Sequence, residues 1–98
     1  MNVLSEPYSF QWDRGNLDKN FKKHGITNEE IEQVFSNDPK VLFSDEGHSK
    51  IEKRYGLYGQ TRKGKLLSIV FTMRNNRIRV ITARSISTRE RKIYEEKF

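Results

Sequence analysis

The segment SIVFTMRNNRIRVITAR, residues Ser68–Arg84, has the pattern of two strands joined by a two-residue turn, and it predicts the centre of a sheet. Asn75 and Asn76 can both take the positive φ that such a turn needs, which predicts a β-hairpin centred on them. Side chains alternate across a strand. The hairpin therefore has one apolar face and one face, called here the basic face, that carries Ser68, Val70, Thr72, Arg74, Arg77, Arg79, Ile81 and Ala83.

Three arginines of the basic face, Arg74, Arg77 and Arg79, form a row along the hairpin. Arg74 faces Arg77 across the turn, and like charges in opposite positions destabilise strand pairing unless an anion lies between them. Guanidinium groups bind phosphate bidentately, and Thr72 adds a hydroxyl donor beside them. The row predicts a polyanion site, whereas the plainer interpretation is a solvated strand face that deters edge pairing. Arg84 falls by parity on the apolar face, unless a β-bulge turns it round.

Composition sets the outer bounds of the fold and function. With 98 residues the chain is expected to form one domain, residues 1–98, with a modest core. Its 19 basic residues against 13 acidic ones give a net charge of +6, which attracts nucleic acid or anionic surfaces. The lack of cysteine excludes disulfides and thiolate metal sites. Neither a secretory leader nor an apolar stretch of membrane-spanning length is visible. We therefore expect a cytoplasmic protein without a membrane partner.

Outside the hairpin, the sequence predicts a strand at 8–12, a helix from an Asp13 cap to His24, and two further helices that begin at capping boxes. The two boxes are TNEE at 27–30 and STRE at 87–90. Further strands are predicted at 41–43 and 52–60. The order βααββββα predicts an α+β fold, with a mostly antiparallel sheet of four to five strands, helices on one face and a C-terminal helix. The opposite, basic sheet face is where we expect function.

His48, Glu52 and Arg54 form the spacing H-x-x-x-E-x-R, which suits general acid–base chemistry. Glu52 or His48 would take a proton while Arg54 stabilises a phosphorane. The alternative is an ordinary surface ion pair. If Gln60 pairs with Lys65, Arg54 falls on the apolar face, and only a shifted register brings it to the arginines.

His24 ends the first predicted helix and follows Lys22 and Lys23. It is either a cation that complements the helix dipole or a proton carrier, because histidine changes charge near neutral pH. In the second interpretation Lys23 contacts a phosphate. Two histidines and no cysteines leave no plausible metal site, so neither metal nor cofactor is expected.

Several short motifs, in register over residues 10–95, resemble those of the BrnT toxins. The matches to the family's WD…N..KHG, D..HS..E.RY, I[ST]AR and R.ER..YE patterns are Trp12-Asp13, Asn20, Lys23-His24-Gly25, Asp45, His48-Ser49, Glu52, Arg54-Tyr55, Ile81-Thr82-Ala83-Arg84, Arg89-Glu90-Arg91 and Tyr94. One departure is Asn16, where the family usually has lysine, so Asn16 is left out of the expected binding set.

The resemblance implies a RelE-like fold and a small, metal-independent ribonuclease that arrests translation. It also implies neutralisation by a BrnA-like antitoxin, in a 2:2 complex that binds operator DNA through the antitoxin. The catalytic candidates are Glu52, His48, His24, Arg54, Arg79 and Arg84, and the RNA-binding candidates are Lys23, Arg74, Arg77 and Thr72. Two alternatives remain: a non-catalytic nucleic-acid-binding domain, or a protein-interaction module that uses the same basic face.

Overall fold

A four-stranded antiparallel sheet forms the centre of the computed structural model, which describes residues 4–45 and 52–98. The strands are adjacent in sequence order, so the sheet is a meander: β1 (Val41–Ser44), β2 (Arg54–Gln60), β3 (Leu66–Arg74) and β4 (Arg77–Ser85). The helices are α1 (Lys19–His24), α2 (Asn28–Ser36) and α3 (Thr88–Glu96). The α+β prediction is confirmed. None of the helices in the described ranges is long and apolar enough to cross a bilayer.

The hairpin of β3 and β4 turns at Asn75 and Asn76, as predicted, with φ values of 52° and 62°. Asparagine accepts this left-handed conformation more readily than other non-glycine residues. The two-residue turn places Arg74 opposite Arg77, which confirms the predicted register near the turn.

A β-bulge between Val70 and Phe71 shifts the register farther from the turn. Ile81 is the extra residue on β4, so the prediction that Ala83 shares the basic face is wrong. Ala83 pairs with Ile69 and is fully buried. Arg84 pairs with Ser68 and is thereby turned onto the basic face, because one added residue reverses the alternation of side chains beyond it.

The register of β2 is set by the pairing of Gln60 with Leu66, one residue beyond the Gln60–Lys65 pairing considered above. The loop between β2 and β3 is closed by the Thr61 N–H, which donates to the Lys65 carbonyl at 2.9 Å. Arg54 consequently lies opposite Thr72 and on the basic face.

The core lies between the apolar sheet face and α2. Phe35 of α2 is fully buried and meets the ring of Phe71 edge-on, with 5.1 Å between ring centroids. Ile31 and Val34 complete the apolar stripe of the helix. Both predicted capping boxes are present, at Thr27 and at Ser87, where the N-cap hydroxyl and the glutamate three residues on satisfy each other's backbone N–H groups.

The N-terminal region differs from the prediction. Residues 8–12 form only an isolated parallel bridge, between Phe10 and Ile78, rather than a strand. α1 begins at Lys19, so Asp13 is not its N-cap. The reason is that the Asp13 carboxylate accepts the Gly15 N–H and an arginine of β4, which fixes residues 13–16 as a turn.

Candidate functional site

A shallow depression of about 170 Å³, called here the cationic depression, lies on the basic face beside β4. Arginines from three different strands meet in it, Arg54 from β2, Arg74 from β3 and Arg79 from β4, and Lys19 of α1 joins them. Among the described residues that line it, Glu52 is the one carboxylate. Within residues 4–45 and 52–98, the lining consists of Gly15, Asn16, Lys19, Glu52, Arg54, Arg74, Arg79, Val80 and Ile81.

Glu52 is held in the depression by Arg74. The guanidinium donates from Nε to Oε2 and from Nη2 to Oε1, both at 2.9 Å, which is a bidentate pair. The hydrogen bonds from Arg74 lower the pKa of Glu52, and the charges of Arg74, Arg54 and Arg79 lower it further. Glu52 is therefore ionised at neutral pH and lies within the field of three arginines.

Arg79 is held by Asp13, the residue predicted from the sequence to be a helix N-cap. Its Nη1 donates to Asp13 Oδ2 at 2.5 Å, and only 16% of the Arg79 side chain is exposed. This hydrogen bond is the main cause of the lowered pKa of Asp13, and the Gly15 N–H, 2.9 Å from Oδ1, is the next. A Cβ on Gly15 would lie 2.9 Å from Arg79 Nη2, so a larger residue at this position would require the guanidinium to shift.

Three side chains of the segment 16–20 fasten this turn to the outer edge of β4. Asn16 is buried and its Nδ2 donates to the Val80 carbonyl at 3.2 Å. Lys19 Nζ donates to the Ile81 carbonyl at 3.1 Å, and the Ala83 N–H donates to Asn20 Oδ1 at 2.9 Å. From Val80 to Ala83 the edge of β4 is thereby covered by side chains, whereas at Ile78 it pairs with the backbone of residues 9–11. The predictions from the sequence give no structural or chemical role to three residues of the site region, Asn16, Lys19 and Asn20.

Arg84 lies elsewhere on the basic face, outside the cationic depression. It pairs with Ser68, four residues along β3 from Thr72, which separates its Cα from that of Arg79 by roughly 13 Å along the strand. Its guanidinium binds Glu90 of α3 bidentately at 2.7 and 2.8 Å. These hydrogen bonds are the largest cause that lowers the pKa of Glu90 to about 2. Arg84 thus joins α3 to one end of the basic face.

Two other residues proposed from the sequence, Arg77 and Thr72, have partners outside the cationic depression. Arg77, beside the hairpin turn, donates from Nη2 to the Phe10 carbonyl at 2.6 Å and does not line the depression. Thr72 is 2% exposed, and its hydroxyl donates to the Lys53 carbonyl at 2.7 Å, which joins β3 to the segment that precedes β2.

Lys23 and His24 are exposed at the end of α1 and are not among the lining residues of the depression. His48 lies outside the described residues. Within 4–45 and 52–98, no three side chains of histidine, cysteine, aspartate or glutamate are placed to hold a metal ion.

Residues 12–90 match a protein-family model whose description is ribonuclease toxin, BrnT, of type II toxin–antitoxin systems. The matched region runs from Trp12 into the first turn of α3, so it contains all the described residues that line the cationic depression. No curated protein matches the chain at a significant level.

Proposed function

Because this chain belongs to the BrnT family of ribonuclease toxins of type II toxin–antitoxin systems, we propose that it is a metal-independent endoribonuclease whose active site is the cationic depression. The observation that carries the proposal is the meeting of Arg54, Arg74, Arg79 and Lys19 around Glu52. Four cations around one carboxylate supply both a phosphate-binding surface and a proton acceptor.

The reaction needs no co-reactant. A base removes the proton of a ribose 2′-OH, and the 2′-oxygen forms a bond to the adjacent phosphorus. The bond from phosphorus to the 5′-oxygen then breaks, and an acid supplies a proton to that oxygen. The products are a 2′,3′-cyclic phosphate and a 5′-hydroxyl end.

The arginines bind the scissile phosphate and stabilise the charge that develops on its oxygens. Arg54, Arg74 and Arg79 approach from three strands, so they can surround a phosphate in a way that neighbours on one strand cannot. The planar guanidinium fork matches two phosphate oxygens at once. We assign Lys19 to the same phosphate, and Lys23 and Arg77, which lie outside the depression, to flanking phosphates of the RNA.

Glu52 is our candidate for the general base. In the free protein it is paired with Arg74, which makes it a weak base. A phosphate that binds Arg74 takes over these hydrogen bonds, and the basicity of Glu52 rises as its strongest partner is withdrawn. His48 and His24, in that order, are the candidates for the acid that protonates the leaving oxygen.

In the cell, we propose that the domain formed by residues 1–98 cleaves RNA and arrests translation, and that a BrnA-like antitoxin neutralises it. The proposed assembly contains two copies of each chain and binds operator DNA through the antitoxin. Support for these statements comes from the family match.

The test is incubation of the purified chain with RNA in the presence of EDTA, followed by analysis of the ends of any fragments. We expect fragments with 2′,3′-cyclic phosphate and 5′-hydroxyl ends, and slower cleavage by Glu52→Gln. Glu95→Gln, which changes an exposed carboxylate of α3, is the matched control and should cleave as the unmodified chain does. Intact RNA after incubation with the folded, unmodified chain would overturn the proposal.

A further inference from the structure

Beside the cationic depression, the basic face is aromatic and apolar instead of charged. The residues Phe43, Gly56, Val70 and Thr82 lie side by side across the four strands, as direct partners in the sheet. Tyr58 adjoins this row, with its ring centroid 4.9 Å from that of Phe43. We call Phe43, Tyr58, Val70 and Thr82 the aromatic patch.

Gly56 allows the ring of Phe43 to lie over the sheet. A Cβ on Gly56 would stand 2.1 Å from Cζ of Phe43 and 2.3 Å from Cε2, so the space that another residue would fill is taken by the ring. Arg54 lies two residues before Gly56 on the same face of β2, a separation of about 7 Å. The ring of Phe43 is therefore a neighbour of the cationic depression.

The aromatic patch is accessible, since all four of its side chains are half-buried. Most other aromatic residues in the described ranges are unsuited to bind a ligand on this face. Tyr55 and Phe71 are buried in the core, and Trp12 donates its indole N–H to Glu32 at 2.7 Å on the side of α2. Phe21 and Phe98 are exposed, but they belong to α1 and to the end of the chain after α3.

The far side of the aromatic patch is closed by the Arg84–Glu90 pair, to which Ser68 also donates at 3.2 Å. Burial is the main cause that raises the pKa of Tyr58, and the charge of Glu90 contributes. The phenol therefore stays protonated at neutral pH and can donate a hydrogen bond to a polar ring edge.

We propose that the aromatic patch binds a nucleobase of the RNA strand whose phosphate lies in the cationic depression, with the base stacked on Phe43 and bordered by Tyr58. The inference rests on the proposed function, because it takes a single-stranded nucleic acid as the ligand of the basic face. Its physical basis is that proteins hold single strands by pairing cationic contacts to the backbone with aromatic side chains on which the bases stack.

The direct test compares the binding of two DNA 12-mers, one containing all four bases and one entirely abasic. DNA lacks the 2′-OH, so neither probe can be cleaved, and both carry the same charge. The unmodified chain should bind the base-bearing probe roughly 5- to 150-fold more tightly than the abasic one, as stacking of one base predicts. Phe43→Leu should remove most of this preference, whereas the matched control Phe98→Leu should keep it. An unchanged preference in folded Phe43→Leu, or none in the unmodified chain, would overturn the inference.

Photo-crosslinking of the unmodified chain gives a second test that needs no variant. A 12-mer with 5-iodouracil should become attached within the tryptic peptides 41–50 or 55–62, at Phe43 or Tyr58. Attachment confined to other peptides would overturn the inference. Both tests measure binding alone, so their results decide whether the aromatic patch binds a base even if the chain does not cleave RNA. A failure to cleave RNA would count against the proposed function only.

Discussion

Replacing Glu90 with glutamine should destabilise the protein by about 3 kcal/mol at neutral pH. The Glu90 carboxylate holds α3 to the sheet, because it accepts two hydrogen bonds from Arg84, one from the Ser87 N–H and one from the Ser68 hydroxyl. Its side chain is 15% exposed, so solvent screens these interactions only in part. Glutamine keeps the shape of the side chain and removes the charge, and so it mimics the protonated acid.

The magnitude follows from the pKa of Glu90, which the bonds to Arg84 lower from 4.5 to about 2. A difference of this size between the folded and unfolded states corresponds to about 3 kcal/mol when the carboxylate is ionised. Because the folded-state pKa is the lower one, this contribution is fully present above pH 4.5 and is lost as the pH falls towards 2. The contributions of the individual contacts give a similar free energy: about 1 kcal/mol for the helix cap and about 1.5–3 kcal/mol for a hydrogen bond to a charged group.

The assay is urea denaturation of the unmodified chain and of Glu90→Gln, at a series of pH values from 7 to 2. The gap between their free energies of unfolding should be largest at pH 7 and should close as the pH approaches 2. Glu95→Gln on the same helix is the control. Its carboxylate is 63% exposed and 3.6 Å from Arg91, so its loss should cost no more than about 0.5 kcal/mol. A gap for Glu90→Gln no larger than that of the control, or one that persists at pH 2, would show that the Glu90 carboxylate does not hold α3 to the sheet.

Three further predictions concern the sheet and the site. Gly56→Ala should lower the free energy of unfolding by about 1–3 kcal/mol, because the added methyl group would lie 2.1 Å from Cζ of Phe43 and would displace the ring. An unchanged midpoint of urea denaturation would contradict the packing described. Asp13→Asn should bind RNA more tightly, because Asp13 competes with phosphate for Arg79. It should cleave RNA roughly ten- to a hundredfold more slowly at saturation, because Asp13 also orients Arg79. A kcat and an affinity equal to those of the unmodified chain would speak against this role. The logarithm of the RNA association constant should fall with the logarithm of salt concentration with a slope of about −2 to −3, as three or four phosphate contacts on a single strand predict; a slope near zero in filter binding would exclude them.

Local signals in the sequence predicted much of the fold. Each capping box is formed by residues three apart, and the hairpin turn needs only the conformational tolerance of Asn75 and Asn76. Such features depend on neighbours in the chain, so they can be read from it directly. The same holds for the arginines near the turn, whose face follows from alternation as long as the register is regular.

The parts that the sequence did not predict depend on contacts between distant residues. The bulge beside Val70 is not marked by a glycine or a proline in the sequence. It places Arg84 on the face where it contacts Glu90. Asp13 and Arg79 are 66 residues apart in the chain, and an aspartate before a helical pattern looks like an N-cap until its partner is known. The family motif had already singled out Trp12-Asp13, which was the one sequence signal that this aspartate has another purpose.

The placement of the active site in the cationic depression is best tested by the single-turnover rate of RNA cleavage by Arg79→Ala, beside Arg62→Ala as a control with the same change in net charge. Arg62 is exposed in the turn between β2 and β3, outside the cationic depression. If Arg79 stabilises the transition state, its loss should slow cleavage by about 10²–10³-fold while the folded content, checked by circular dichroism, is kept. Arg62→Ala should cleave at the rate of the unmodified chain. Equal rates for the two variants would contradict the assignment of the active site to the cationic depression.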